Sequence, residues 1–273
     1  MSKTSRSSVA GAIVLAALPL AAQAQESDIP APRAETEGVS GETRIRIGLG
    51  PRVVPSWPGS DEHNIGPLFE FSRALPGEQF AFEAPDESAG FDLYRAGGFS
   101  IGPSLGFQGK RDSEDVGGAL PDVGFSVELG GFAQLEASPS LRFRVEARQA
   151  VSGHDGFISV ASADYVWRDE DDTVVSIGPR LTLTDARYQR SYYGVAPDEA
   201  LASGLAAYDP GGGLQSVGGA LGVVQQFTPE WGMFGYVKYD RLLGDAADSP
   251  VVAAYGSKDQ LEGGVALTYT FGL

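Results

Sequence analysis

From Thr43 onward the chain alternates apolar and polar residues with a period of two, broken by polar stretches rich in Gly, Pro and Asp. The run 260–273 shows it most clearly. Leu261, Gly263, Val265, Leu267, Tyr269, Phe271 and Leu273 share one parity, and Glu262, Gly264, Ala266, Thr268 and Thr270 share the other. Such alternation marks a strand whose two faces meet different surroundings. A soluble edge strand that long and apolar is an aggregation hazard unless its edge is paired. A transmembrane barrel has no free edge and requires an apolar outer face.

The same pattern predicts twelve strands, at 43–54, 65–73, 80–84, 90–95, 99–108, 123–136, 141–148, 156–168, 175–184, 214–227, 231–243 and 260–273. The alternation is weakest at 80–84 and 90–95, and the count falls to ten if these do not span. The connections after strands two, four, six, eight and ten are short, whereas the others include every long one. This asymmetry fits a barrel with short periplasmic turns and long external loops. The fold class predicted is therefore all-β, a transmembrane antiparallel up-and-down barrel over 43–273. Phe227 and Trp231, flanking one short turn, should lie together at an interface as girdle aromatics.

Charged residues fall on the parity opposite the apolar ones. Arg44, Arg46, Arg52, Arg142, Arg144, Arg148 and Arg180 all belong to that face, and charges at membrane depth cannot face lipid cheaply. They are candidate lumen residues, with Glu70, Glu128, Glu136, Glu146 and Glu262 on the same side. One reading is a basic, anion-selective lumen. The other, which the shared acids favour, is a closed interior of ion pairs. If 137–139 form a turn, Glu128 lies opposite Arg148 and Gln134 opposite Arg142.

The N-terminus supplies a route to a membrane. Lys3 and Arg6 precede an apolar stretch at 9–22, and Ala22-Gln23-Ala24 is a small-x-small site, so 1–24 is a signal peptide cut between Ala24 and Gln25. Residues 25–42 are polar and without period, which suggests a disordered periplasmic leader. Cleavage removes two of the 20 basic residues and none of the 36 acidic ones, taking the formal charge from -16 to -18. That opposes any nucleic-acid partner. The chain has no cysteine, hence no disulfide framework, and its 37 glycines suit curved sheets better than helices.

Candidate chemistry is sparse. The two histidines, His63 and His154, fall in predicted external loops, and Ser152-Gly-His154-Asp155 reads as a solvated turn because triads are assembled in space, not by adjacency. The acidic runs at 112–115 and 169–172 lack EF-hand spacing and also read as solvated turns. No cofactor or metal is expected. The loop 185–213 is the strongest functional candidate, since loops of that length usually bind or gate. Pro197, Asp198, Glu199 and Gly204 predict a short helix at 197–203, and Tyr188, Tyr192, Tyr193 and Tyr208 provide a candidate contact or gating surface.

The loops carry a resemblance to the MipA/OmpV family of Gram-negative outer-membrane proteins, named for the MltA-interacting protein. The matching stretches are PSWPGSDEHNIGP, SGHDGFISVASADY, YYGVAPDEALASGLAAYDPGGGL and LLGDAADSPVV, in order, ahead of an aromatic closing strand. Trp57 stands where the family usually has Tyr, and the chain ends on Leu273 where the family commonly has Phe. The resemblance implies a non-enzymatic outer-membrane barrel in contact with outer-membrane lipid and lipopolysaccharide. It also implies partners in murein synthesis, a lytic transglycosylase and a penicillin-binding protein; because the predicted periplasmic turns are short, residues 25–41 are the candidate contact. The alternative is a small-solute channel with an Arg-rich lumen gated by 185–213. The sequence leaves the oligomeric state open.

Overall fold

A computed structural model describes residues 41–273; the signal peptide, its cleavage site and most of the leader lie outside the described residues. Strands β1 (Arg44–Pro55), β2 (His63–Ala74), β3 (Ala89–Gly90), β4 (Tyr94–Ala96), β5 (Phe99–Gln108) and β6 (Ser126–Ser138) form the first half. Strands β7 (Leu141–Ala150), β8 (Phe157–Asp169), β9 (Thr173–Thr184), β10 (Gly213–Gln226), β11 (Trp231–Leu242) and β12 (Asp259–Gly272) complete a twelve-stranded antiparallel sheet. Ten of these strands have ten or more residues, while β3 and β4 have two and three. The sheet runs β2-β1-β12-β11-β10-β9-β8-β7-β6-β5-β3, with β4 also on β5.

The last strand is paired on both sides, Arg46 opposite Thr270 of β12 and Trp231 of β11 opposite Tyr269. The first and last strands are thereby stitched together, and the sheet instead stops at β2, which pairs with β1 alone among the described residues.

Burial is inverted relative to a soluble protein. Ile65, Phe69, Leu129, Val145, Ile177 and Leu267 are exposed on the outside, whereas Arg46, Glu128, Arg142, Asp164, Arg180 and Thr268 are buried within. Soluble proteins almost never fully bury charged side chains unless they are paired. A lipid-facing barrel produces this arrangement without strain, because its solvent is hydrocarbon. Phe227 and Trp231 are both exposed at the β10–β11 turn, and the Trp231 ring lies 4.8 Å from that of Tyr269.

Two expected strands are corrected. Residues 80–84 form no strand, and 90–95 contribute only the ends of β3 and β4. Instead, 79–88 cross the interior as a strap that turns at Pro85–Asp86, described below. The sixth strand begins at Ser126 rather than at 123, because Val123 is taken up in a bridge to Arg111. Its register with β7 is also two residues from expectation: Glu128 faces Ala150, and Gln134 faces Arg144. The turn lies at Pro139–Ser140 and not at 137–139, which moves the register by three, and a one-residue bulge between Glu136 and Ser138 takes it back by one. Because the shift is even, every side chain stays on its expected face.

Candidate functional site

The lumen is organised by guanidinium groups and the strap they hold. Arg46 Nε donates to Glu70 at 3.0 Å, Arg44 pairs with Asp171 at 2.8 Å, and Arg144 pairs with Glu146 at 2.5 Å. Arg148 Nε reaches Glu128 at 2.9 Å, so that pair forms diagonally across the strands. Gly106 makes room for it, since a Cβ there would lie 2.6 Å from Arg148 Nε. Glu262 lies 3.8 Å from Lys238 rather than beside Arg44 or Arg46. Arg52 and Glu136 lie at exposed positions.

The remaining partners come from the strap. Arg180 grips Asp86 with Nε and Nη2, each at 2.8 Å, and also meets Asp164 at 2.9 Å. Arg142 pairs with Glu87 and, at 3.2 Å, with Asp164. Strap carbonyls are held too, Phe82 by Arg142 at 3.1 Å and Phe80 by Arg168 at 2.8 Å. The Arg46 guanidinium lies 4.5 Å from the Phe80 ring centroid, and that of Arg142 lies 4.4 Å from Phe82. Arg46 and Arg142 each therefore offer one end to a carboxylate and one face to an aromatic ring, which is how a guanidinium is desolvated at least cost. Asp86 and Glu87 were missed by strand parity because they lie on no strand.

The long loops fold into a cap with its own apolar core. It contains helices α1 (Ala186–Tyr193), α2 (Pro197–Ser203), α3 (Gly244–Ala247) and α4 (Pro250–Tyr255). Asp185 caps α1 by accepting from Tyr188 N–H, and Pro197 opens α2 as its sequence predicts. Trp57, Val116, Tyr188, Tyr192, Tyr193 and Val251 are all essentially inaccessible. Tyr188, Tyr192 and Tyr193 are thus core residues rather than a contact surface. Tyr208 bonds the Asp245 carbonyl at 2.9 Å. Arg111, which no sequence signal singles out, ties three loops by donating to the carbonyls of Tyr192 and Pro121 beside the Trp57 ring.

Burial holds the phenols of Tyr188, Tyr192 and Tyr193 protonated well above their ordinary range. In the unfolded chain they ionise at about 10. The stability they contribute is complete below that value and is lost as pH rises through the higher folded values. Alkaline titration should show these three tyrosinates appearing late and together with cap opening, measured by absorbance alongside near-ultraviolet dichroism.

His154 is buried, not solvated. Its Nδ1 accepts from Gly156 N–H at 3.0 Å, so Nε2 carries the hydrogen and donates to Glu128 at 3.0 Å. Ser152 Oγ bonds the backbone of Val127 and Phe125. Neither is left to serve as a nucleophile–base pair, and His154 pins the β7–β8 loop onto β6. His63 lies at the start of β2, against the Leu261 carbonyl. Asp112 and Asp115 cap a 3-10 turn (Ser113–Val116), and Asp171 is held by Arg44 and Arg168. Among the described residues, no group of three or more potential metal ligands converges.

A family model described as MltA-interacting protein MipA matches residues 47–271. Among solved structures, the chain is similar to an outer membrane channel from Pseudomonas putida F1, with 9% identity and a TM-score of 0.37 over 89% of this chain and 100% of that one. It is also similar to a FadL homologue of Pseudomonas aeruginosa, with 10% identity and a TM-score of 0.34 over 84% and 90%. The outer membrane protein OprG of the same organism gives 10% and 0.26 over 85% and 98%. Comparison with curated proteins gives no match.

Proposed function

Since this chain belongs to the MltA-interacting protein MipA family, we propose that it is an outer-membrane anchor for a periplasmic murein enzyme of the MltA kind, and not a solute channel. One observation carries the choice between these: the strap crosses the lumen and is pinned there by arginines from β7, β8 and β9. A second closure, the cap with its buried tyrosines, lies over the end where the long loops gather.

The opposite end is periplasmic in this reading. It holds a depression of about 770 Å³ lined by Glu42, Glu78, Glu170, Asp171, Asp172 and Glu230, with Arg44 the only basic residue among its lining groups. Such a rim suits a partner with a basic surface, since complementary potentials steer encounter and set specificity. The turns that carry it are short, so the contact is a rim and not a projecting arm.

Capture of a purified lytic transglycosylase of the MltA kind by the full-length protein in detergent tests the anchor. Binding should weaken about ten-fold in a variant with Glu170, Asp172 and Glu230 changed to Lys, and should fall with added salt. Unchanged capture by that variant removes the rim from the proposal. In planar bilayers the wild-type protein should be electrically silent; steady conductance favours the channel instead.

A further inference from the structure

The wall of this barrel is one strand short. With β3 and β4 lying end to end along β5, the hydrogen-bonded path from β2 round to them holds eleven strands among the described residues, each antiparallel to the next. An odd number leaves the first and last running the same way, so β2 and the β3–β4 segment cannot pair antiparallel with each other. An up-and-down barrel needs one more strand between them, returning from the periplasmic end to the outer end.

The segment that joins β2 to β3 makes that return through the lumen, as the strap, yet it keeps the joints of a wall strand at both ends. Glu78 N–H donates to the Leu75 carbonyl at 2.9 Å across Pro76-Gly77, and Glu87 N–H donates to the Ala84 carbonyl at 3.2 Å across Pro85-Asp86. Gly77 has a φ of 78° and Pro76 cannot take a positive φ, so the first joint is a type II turn, which splays the strands it connects. The strap leaves the sheet at that point.

Leu75 turns its carbonyl toward the strap, so Phe69, Phe71 and Arg73 turn their N–H and C=O groups to the same edge of β2. None of these six groups bonds to the backbone of the strap, β3 or β4. Phe69 and Phe71 hold that edge at lipid depth, where no water replaces a missing partner. Continuing the two turns into ladders puts Phe82 opposite Phe71 and Ala89, and Ala84 opposite Phe69, all on the outer face. Ala81 and Glu83 come opposite Ser72 and Glu70 on the lumen face, where Arg46 already holds Glu70. Pro67, with no N–H to offer, falls beyond the last pair. Because Ala89 faces Leu105, Asp86 and Glu87 then lie level with Gln108 and Phe107, at the outer end of β5 rather than in mid-membrane.

We propose that the strap is a wall strand held in reserve: residues 79–84 exchange between the lumen and the open edge of β2, where they complete a twelve-stranded barrel and withdraw its inner plug. In the resting barrel the pairs Arg180–Asp86 and Arg142–Glu87, with the Phe80 and Phe82 rings on Arg46 and Arg142, keep the strap inside. In the wall the strap gains ladder hydrogen bonds and its aromatic rings gain hydrocarbon. The exchange does not depend on the anchoring role, and its test uses neither conductance nor a protein partner.

Full-length protein in liposomes carries Phe69→Cys with Ala84→Cys. With the strap in the wall this pair is about 5.5 Å apart at Cα, within disulfide reach. With the strap in the lumen, Phe69 faces lipid and Ala84 is buried inside. Copper–phenanthroline oxidation should link the pair slowly, and about ten-fold or more faster once Asp86→Asn and Glu87→Gln release the strap. Phe69→Cys with Glu83→Cys, on opposite faces of the wall strand, controls for disordered movement and should link at least about ten-fold more slowly in the released chain. No link in the released chain, a rate unchanged by release, or equal linking of the two pairs overturns the proposal. If the released chain fails to fold, Phe71→Cys with Phe82→Cys decides instead, since it takes the Phe82 ring off Arg142: linking faster than Phe71→Cys with Glu83→Cys supports the exchange, and no excess overturns it.

Discussion

Replacing 79–88 with Gly and Ser, in a chain whose cap has been opened by excising 186–203, should turn a silent barrel into an anion-selective pore. The strap carries Glu83, Asp86 and Glu87 and no basic residue. Its removal shifts the lumen by three positive charges and leaves Arg46, Arg142 and Arg180 facing water. Rings of basic side chains favour anions. The cap-opened chain with its strap intact is the control and should stay silent, which isolates the strap as the barrier. Single-channel recording across a salt gradient checks both chains, since the sign of the reversal potential reports the selectivity. Silence in both, or cation selectivity in the strap variant, removes the strap from its role.

Arg180→Ala should be among the most destabilising single changes in the protein. It takes the bidentate partner from Asp86 on the strap, leaving Lys238 at 3.9 Å, and one of two arginine partners from Asp164 on β8; the two carboxylate side chains are 4% and 1% exposed. Breaking a buried pair from one side costs about 3–5 kcal/mol, because the partner's charge stays buried without compensation. Urea unfolding of the reconstituted barrel should show a loss of that order. The double change Asp86→Asn with Arg180→Met should recover most of it, since it removes charge from both sides of the pair. A single variant that unfolds like the wild type would mean that the Arg180 site is already open to water.

The ten long strands were legible because lumen and lipid impose opposite demands on alternate residues, and a period of two survives small errors of register. The two-residue slip between β6 and β7 shows the limit. A turn at Pro139–Ser140 together with a bulge at Glu136 to Ser138 is invisible in the alternation, yet the two moved Glu128 from beside Arg148 to a diagonal contact. The strap was misread for a related reason. Phe80, Phe82 and Ala84 alternate with Ala81 and Glu83 as a spanning strand would, but here the aromatic face packs on guanidiniums. Charge counting carried the missing signal, since the seven arginines expected inward outnumber the five acids on the same face, and Asp86 and Glu87 lie off every strand.

The loop 185–213 announced its importance through length and tyrosine content, and its second helix matched its sequence at both ends. Burial of Tyr188, Tyr192 and Tyr193 depends on contacts with residues as distant as Trp57 and Val251, which no local pattern encodes. His154 illustrates the same point. Its loop position suggested solvent, while Glu128, 26 residues earlier, supplied the partner that buries it.

Single-cysteine labelling tests most directly whether the strap fills the lumen of the folded barrel. The chain has no native cysteine, so a thiol introduced at Ala84, buried on the strap, or at Glu78, exposed at the mouth, reports only its own site. In the folded full-length protein, a membrane-impermeant maleimide should modify Glu78→Cys rapidly and Ala84→Cys at least about 100-fold more slowly, with equal rates after denaturation. Equal rates in the folded protein would contradict a strap held inside the barrel.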